Sequence, residues 1–253
     1  MFFAVKHIGK KFVRSRFEAR GWDIIRRKAS NGPSLPLLKL LVEHSILIDG
    51  EGAIVQVGAN DGLLTDPIHE LIGALKLPAV LVEPLPDVFE RLKQNYAGQS
   101  NIHFENCAVS NHPGEAQIFR VSRTATHFPE WAQGLASFDK SVLLKHKDWD
   151  GVRGGSLERH IESVRIPVLT IGQLMQKHSH LKRVIALQID TEGHDFVVVK
   201  SAVQAGLLPR IINYEHKHLS YNDQSACREL LFSQGYSLWS DEVDTLAYRE
   251  VSV

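Results

Sequence analysis

The chain has 253 residues, of which 43% are hydrophobic and 23% charged, values typical of a globular domain. Lys and Arg total 29, and Asp and Glu also total 29, so the formal net charge of zero argues against a nucleic-acid partner. Two cysteines far apart in the sequence are too few for a disulfide framework and favour a reducing, cytoplasmic location.

Residues 1–30 differ from the rest of the chain in charge. They contain nine Lys or Arg residues and two acidic residues, and the apolar side chains between these charges can share one face of a helix. We therefore predict a basic helical arm over residues 1–48. A single amphipathic helix is weak support for membrane binding, so packing on the domain or on a second subunit of a homo-oligomer is favoured over contact with a membrane surface.

Residues 49–253 are predicted to form one α/β domain. The first strand, at 53–58, is an apolar run with β-branched residues that ends at a glycine. The helix that follows, at 64–77, has apolar residues at helical spacing and a proline near its start. The same patterns predict strands at 79–84, 101–110 and 115–122, the last pairing antiparallel with a neighbour, and a helix at 87–97.

Residues 122–163 interrupt this order, since they show no period typical of a helix or a strand. A long irregular insertion in a compact fold is usually a lid or a binding loop. Regular elements then return as strands at 164–170, 183–190 and 210–216, helices at 171–178, 195–206 and 224–235, and a final antiparallel pair at 236–241 and 245–251.

Strands and helices alternate along the domain, which indicates a mostly parallel sheet with helices on both faces. Sheets of this kind bind ligands at the carboxyl ends of their strands. The residues at these predicted ends are therefore candidate site residues: Gly58 to Gly62, Glu83, Asn106 to Ala108, Asp190 to Glu192, and Glu215 with His216.

The turn after the first strand reads Gly58-Ala59-Asn60-Asp61-Gly62. A dinucleotide site has a further glycine within this turn, where the backbone approaches a pyrophosphate. Here Asn60 and Asp61 take that place, and an acid suits a cationic ligand with an amine and a sulfonium better than a diphosphate. Glu83, 21 residues after Gly62, can accept hydrogen bonds from both ribose hydroxyls. Together these residues favour S-adenosylmethionine over NAD. An NAD-binding oxidoreductase and a non-catalytic cofactor-binding module remain the alternatives.

Several motifs of this region occur together in one known family. They are "VQVGANDG", "LVEPLPDVFERLKQNY", "NIHFENCAVS", "LQIDTEGHDFVVVKSA" and "INYEHKHL". The motifs occur in the order and spacing of the FkbM-type S-adenosylmethionine-dependent methyltransferases, which the chain resembles over residues 50–250. The resemblance implies a class I (Rossmann-like) α/β fold, with a seven-stranded, mostly parallel sheet whose last strand is antiparallel. It also implies O-methylation, with a sugar, a glycoconjugate or a natural product as the acceptor.

The resemblance further assigns residues to the cofactor. The methionine part would be cradled by Gly58, Ala59, Asn60, Asp61 and Gly62, and the ribose would be held by Glu83. The adenine would be bordered by Pro84 and Leu85 and edged by Asn106, Cys107 and Ala108. Asp190, which would also contact the cofactor, and Glu192 correspond to the "IDxEG" pair of the family.

Transfer to oxygen requires that the acceptor hydroxyl lose its proton to a nearby base or bind a metal ion. Asp190, Glu215 and His216 end neighbouring predicted strands, so we expect them to converge as catalytic residues. In one hypothesis the base is His216 or His194, because an imidazole titrates near neutral pH. His218 is an equal competitor for this role, and His194 is also explained as a surface residue in the first turn of a helix.

In the second hypothesis a divalent cation such as Mg²⁺ binds to Asp190, Glu192 and Glu215, since carboxylate oxygens suit that ion. Glu192 has an equally good structural explanation, because acids are favoured in the first turn of a helix. The acceptor itself is expected to contact the insertion, where Trp131 and Trp149 can stack on sugar rings. Alternatively, these tryptophans anchor the insertion to the domain.

Overall fold

The computed structural model describes residues 36–64, 66–149 and 151–250. Residues 1–35 of the arm predicted over 1–48 therefore lie outside the described residues. From Leu37 onward the described residues belong to one compact unit. This unit therefore begins before the predicted boundary at residue 49. No helix among the described residues is long and apolar enough to cross a membrane.

Up to the insertion, the elements in chain order are α1 (Leu37–Asp49), β1 (Ala53–Val57), α2 (His69–Leu75), β2 (Ala79–Val82), α3 (Pro86–Asn95), β3 (Ile102–Glu105), β4 (Ala108–Val109) and β5 (Gly114–Val121). The insertion holds α4 (Glu130–Gly134), β6 (Ala136–Ser137), α5 (Lys140–Leu144) and a 3-10 turn at Leu157–Arg159. The remaining elements are β7 (Ile161–Leu169), α6 (Ile171–Lys177), β8 (Val184–Ile189), α7 (Asp195–Gln204), β9 (Ile211–Glu215), α8 (Tyr221–Ser233), β10 (Ser237–Ser240) and β11 (Asp244–Tyr248).

The main sheet has seven strands in the order β10-β11-β9-β8-β1-β2-β3. Neighbouring strands run parallel from β9 to β3, and β11 runs antiparallel to both β9 and β10. The predicted fold class, including the antiparallel last strand, is therefore confirmed. The parallel order places the carboxyl ends of β1, β2, β8 and β9 at one edge of the sheet, where a ligand site is expected.

Each central strand sends alternate side chains to opposite faces of the sheet. On β1, Val55 and Val57 join one buried cluster with α6, α7 and α8, whereas Ile54 joins another with α1, α2 and α3. Strands buried on both faces are apolar at nearly every position, as β2 is from Ala79 to Val82. The prediction of helices on both faces is confirmed.

A second, four-stranded sheet has the order β4-β7-β5-β6. The single strand predicted at 101–110 is wrong, because its two halves lie in different sheets: β3 pairs with β2, and β4 pairs with β7. The side chain of Asn106 lies at the break and donates hydrogen bonds to the carbonyl oxygens of Glu83 at 2.8 Å and Pro84 at 3.1 Å. The predicted antiparallel pairing of β5 is confirmed, with β7 as its main partner.

The insertion is more ordered than its sequence suggested. Its short elements and the end of β5 surround a small apolar cluster, which comprises Val121, Ala125, Phe128, Ala132, Val152 and Leu157. Elements of two to five residues are too short to produce a visible period, so the sequence pattern predicted only an irregular segment.

The first helix is tied to the sheet by an ion pair at its end. Arg210, just before β9, donates from Nε to Asp49 Oδ2 at 2.8 Å and from Nη2 to Asp49 Oδ1 at 2.9 Å. Both side chains are almost entirely covered, and Arg183 approaches the same carboxylate at 3.2 Å from a more exposed position. Hydrogen bonding to Arg210 holds the pKa of Asp49 below its usual value.

Replacement of Arg210 by Met is expected to lower the free energy of unfolding by about 2 kcal/mol near neutral pH, between the values for surface and enclosed ion pairs. The variant leaves the covered Asp49 carboxylate without its main partner. The pKa of Asp49 is lowered in the folded state. The ion pair therefore stabilises the fold fully at a pH above the pKa that Asp49 has in the unfolded chain, and this stabilisation is lost as the pH falls through the lower pKa of the folded state. Urea unfolding near neutral pH and in acid measures both effects.

Arg183→Met is the matched control, since Arg183 contacts the same carboxylate but its side chain is 43% exposed. It should lower the free energy of unfolding by less than about 1 kcal/mol. An equal decrease in the free energy of unfolding in the two variants would contradict a larger contribution from the covered Arg210–Asp49 pair.

Candidate functional site

A cleft of about 650 Å³, part of it open to solvent, lies at the carboxyl ends of β1, β2 and β8. The lining includes seven of the predicted cofactor residues, namely Gly58, Asn60, Glu83, Pro84, Cys107, Ala108 and Asp190. The structure thus brings together residues from four separate strand ends, as the parallel order of the sheet requires.

The turn after β1 can exist only with glycine at its first position. Gly58 has a φ of +82°, and a Cβ at this position would overlap the carbonyl oxygen of Asp190. The backbone N–H of Asp190 in turn donates to the carbonyl oxygen of Val57 at 2.9 Å. The close approach of β1 and β8 at their exits therefore forms the floor of the cleft.

Glu83 holds this turn against the end of β2. One carboxylate oxygen accepts a hydrogen bond from the backbone N–H of Asn60 at 3.0 Å, and the other accepts one from Leu85 at 2.9 Å. Glu83 is buried, and this burial raises its pKa to about 8 despite the two hydrogen bonds. Each carboxylate oxygen has a further lone pair, so Glu83 can still accept hydrogen bonds from a ligand in the cleft.

Asp61 has a different role from the one predicted. It is outside the lining of the cleft, and its Oδ1 accepts hydrogen bonds from the backbone N–H groups of Leu63 and Leu64, both at 2.9 Å. The carboxylate therefore stabilises the loop that leads to α2. Gly62 is also structural, since a Cβ there would lie 2.6 Å from the ring of Tyr96.

Three further predicted cofactor residues support the site without lining it. Ala59 is buried and donates its backbone N–H to Val82. Leu85 is fully buried in an apolar cluster beneath the second sheet. Asn106 connects the ends of β2 and β3 through the two carbonyl hydrogen bonds described above.

The insertion supplies the opposite wall of the cleft, with Gly134, Leu135, Ala136, Ser137 and Phe138 in its lining. Gly134 packs against the side chain of Asn60. A Cβ at position 134 would lie 2.7 Å from that side chain. Ser137 Oγ donates to the carbonyl oxygen of Glu192 at 2.7 Å. Sequence analysis predicted that the insertion contacts a ligand but did not identify these residues, because their contacts with the turn and with Glu192 are long-range.

Acidic side chains collect at the ends of β8 and β9. Asp190 is exposed to the cleft, and Glu192, with a left-handed φ of 49°, is half-buried beside it. Desolvation and the neighbouring acids raise the pKa of both carboxyls. Glu215 is buried, and its pKa is raised to about 9 for the same two reasons. Asp190, the acid that is exposed to the cleft, is therefore the one best placed to face a positively charged ligand.

The histidine that approaches these acids is His218 and not His216. His218 Nε2 lies 3.4 Å from Glu192 Oε2 and 3.7 Å from Glu215 Oε1. His216 turns instead toward β11, where its Nδ1 is 3.0 Å from Thr245 Oγ1. Burial lowers the pKa of His218 to about 4 and raises that of Glu192. Both shifts favour neutral groups, so this contact is not an ion pair.

His194 and the predicted metal ligands are also placed differently from expectation. His194 Nε2 lies 3.0 Å from Ser110 Oγ, on the side of β4. Among the described residues, the oxygens of Asp190, Glu192 and Glu215 do not form a group close enough to share an ion. Glu215 is directed at His218, whereas Asp190 faces the cleft.

The tryptophans of the insertion lie next to His146, which in turn packs against His218. Trp131 and Trp149 have ring centroids 5.5 Å apart, and Trp131 also packs against the apolar cluster of the insertion. His146 lies between Trp149, at 4.4 Å, and His218, at 5.1 Å. Trp149 is 41% exposed, and Lys217 Nζ lies 4.4 Å from the centre of its ring. Trp131 thus anchors the insertion, while Trp149 presents part of its ring to solvent.

Residues 56–238 match the family model of the methyltransferase FkbM domain. The chain belongs to this family. FkbM methyltransferases use S-adenosylmethionine, and the match covers the glycine turn, Glu83, Asp190 and the insertion of the described site. No protein of curated function matches the chain in sequence.

Solved structures similar to this FkbM domain include three methyltransferases. The methyltransferase FkbM from Methylobacillus flagellatus KT is 15% identical, with a TM-score of 0.45, over 78% of this chain and 43% of that chain. The chain therefore spans less than half of the length of that protein. The precorrin-6y C5,15-methyltransferase from Geobacter metallireducens GS-15 is 9% identical, with a TM-score of 0.41. The similarity covers 89% of this chain and 93% of that chain. An O-methyltransferase from Bacillus cereus, solved in complex with SAH, is 9% identical, with a TM-score of 0.41. The similarity covers 87% of this chain and 84% of that chain.

Proposed function

We propose that this protein transfers a methyl group from S-adenosylmethionine to a hydroxyl of a sugar, a glycoconjugate or a natural product. The observation that carries this proposal is the position of Glu192. Glu192 lines the cleft, and its Oε2 lies 3.4 Å from Nε2 of the neutral His218 imidazole, so a proton can pass through the Glu192 carboxyl to His218 from the place where an acceptor hydroxyl would meet the methyl group.

The residues of the cleft fit the proposed cofactor. Glu83 is directed into the cleft with free lone pairs for the ribose hydroxyls, and Asp190 offers a negative charge at the floor. Pro84, Cys107 and Ala108 provide an apolar edge against which an adenine can pack. When bound, S-adenosylmethionine supplies an electrophilic methyl group on a positively charged sulfur, and the surrounding acids favour that charge.

Transfer to a hydroxyl needs both orientation and removal of a proton. The cleft provides orientation by enclosing the two reactants between β1, β8 and the insertion, which lowers the entropic part of the barrier. The neutral imidazole of His218 provides the final proton acceptor, and the half-buried carboxyl of Glu192 can accept the hydroxyl proton on one oxygen as it passes its own proton to His218 from the other.

The proposed sugar-like acceptor rests on Trp149. Its ring is 41% exposed, Lys217 Nζ lies 4.4 Å from the ring centre, and His146 connects the ring to His218. An exposed aromatic ring next to a charged group suits a ligand that has an apolar face and several polar substituents.

The test measures binding of S-adenosylhomocysteine by calorimetry and its release during reaction with a panel of hydroxylated sugars, glycosides and polyketide-type alcohols. We expect binding, and turnover with at least one acceptor. Trp149→Ala should raise the KM for that acceptor about 10-fold, with little change in the Kd of S-adenosylhomocysteine.

Trp239→Ala is the matched control, since Trp239 is 47% exposed on β10, and its KM should equal that of the unmodified protein. Tight NAD binding without a response to S-adenosylhomocysteine would contradict the proposal. So would cofactor binding with no turnover on any acceptor, which would leave a binding module.

A further inference from the structure

Three side chains from distant parts of the chain meet behind the acidic end of the cleft. They are His146, after α5, Glu192, after β8, and His218, after β9, and one ligand atom from each lies within 4.8 Å of the other two. His146 is 2% exposed and His218 is 7% exposed. The group therefore lies inside the protein, where polar atoms are normally hydrogen-bonded.

The polar atoms of this group lack such partners. Glu192 Oε2, His146 Nδ1 and His218 Nδ1 are all buried, and none has a hydrogen bond among the described residues. Leaving buried polar atoms unpaired costs about 1 to 3 kcal/mol for each group. A cation bound among these side chains would give a partner to Glu192 Oε2 and to one ring nitrogen of each imidazole.

We infer that His146, Glu192 and His218 bind a divalent transition-metal ion, with Zn²⁺ as the ion that fits the donor atoms best. Two imidazole nitrogens and one carboxylate oxygen are a usual protein ligand set for zinc at a site with an open position. Mg²⁺ and Ca²⁺ prefer sites made of oxygen atoms. The inferred ion and ligands thus differ from the magnesium site of three carboxylates that the sequence suggested.

The distances agree with this assignment. Two ligands of one tetrahedral zinc ion lie about 3.3 Å apart, given metal–ligand bonds of about 2.0 to 2.1 Å. His218 Nε2 and Glu192 Oε2 are 3.4 Å apart. The third ligand atom is within 4.8 Å of both, so a modest side-chain rotation completes the set.

The surroundings support the three ligands. Lys145 Nζ donates to the carbonyl oxygen of His218 at 3.2 Å, and Ser137 Oγ donates to that of Glu192 at 2.7 Å. Glu215 Oε1, at 3.7 Å from His218 Nε2, is a further carboxylate beside the site. Because Glu192 also lines the cleft, a fourth ligand can approach from that side. Binding of the ion does not depend on the proposed methyl transfer.

The experiment titrates the full-length, chelator-treated protein with Co²⁺, whose visible absorption reports four-coordinate nitrogen and oxygen ligation. We expect one equivalent to bind with such a spectrum. Glu192→Gln and His218→Gln should each weaken Co²⁺ binding about 100-fold. Loss of a ligand should cost at least as much affinity as loss of a residue that only supports a ligand of the metal ion. Glu192→Gln keeps the shape of a half-buried side chain, so it remains informative if His218→Gln unfolds.

A second histidine group provides the control. His103, His178 and His180 also have ligand atoms within 4.8 Å of one another, near the edge of β3. The double variant His103→Gln/His180→Gln should retain the Co²⁺ spectrum and its affinity. Loss of the spectrum in this variant, an unchanged spectrum in Glu192→Gln, or no binding of Co²⁺ by the unmodified protein would each overturn the inference.

Discussion

Gly58→Ala should lower the free energy of unfolding by about 3 to 5 kcal/mol, the combined cost of overpacking and of a positive φ at a residue with a side chain. The new methyl group would overlap the carbonyl oxygen of Asp190, which belongs to the backbone and cannot move independently. Any displacement that relieves the overlap separates the ends of β1 and β8, so binding of S-adenosylhomocysteine should be lost as well. Urea unfolding and calorimetry measure the two effects.

Gly73→Ala is the control for this variant. Gly73 lies within α2, and a Cβ there would have no heavy atom within 4 Å. Alanine is the better helix former, so Gly73→Ala should be neutral or should stabilise by up to about 1 kcal/mol, with unchanged ligand binding. A Gly58→Ala protein as stable as the Gly73→Ala protein would show that the approach of the two strands is wrongly described.

Glu192→Gln should reduce kcat at least about 100-fold, because an amide can neither pass a proton from the reacting hydroxyl to His218 nor hold a metal ion beside that hydroxyl as a carboxyl can. The Kd of S-adenosylhomocysteine should change less than about threefold, because the affected interaction develops in the transition state. Burial already favours the neutral form of Glu192. The neutral amide should therefore leave the free energy of unfolding within about 0.5 kcal/mol of the original.

Glu90→Gln tests whether the effect is specific. Glu90 is on α3, and its side chain is 60% exposed and paired with Lys93 at 2.8 Å. Its kcat should equal that of the unmodified protein. Equal activity of the Glu192→Gln and Glu90→Gln proteins would remove Glu192 from the proposed reaction.

Much of the lining of the cleft could be predicted because its residues follow strands. Gly58, Glu83 and Asp190 come directly after apolar runs, and the carboxyl ends of parallel strands meet at one edge. Side-chain direction is not set by that rule. Asp61 is in the predicted turn, but its carboxylate is used by the backbone N–H groups of Leu63 and Leu64.

The choice between His216 and His218 shows the same limit. Both histidines follow β9 within three residues, and a sequence pattern gives them equal standing. In the structure, His216 is directed at Thr245 on β11, and the turn that follows brings His218 back toward Glu192. The path of that turn depends on packing against a strand formed by the last residues of the domain, which no local pattern contains.

Local sequence thus determined most of the strand–helix order and the fold class, because period, glycine turns and strand-end acids are properties of neighbouring residues, and its motifs carried the resemblance to the family. Only the tertiary structure decided that Gly134 to Phe138 close the cleft and that His146, Glu192 and His218 meet. Each of these arrangements joins segments separated by tens of residues, and side chains so far apart along the chain come together only through packing of the whole domain.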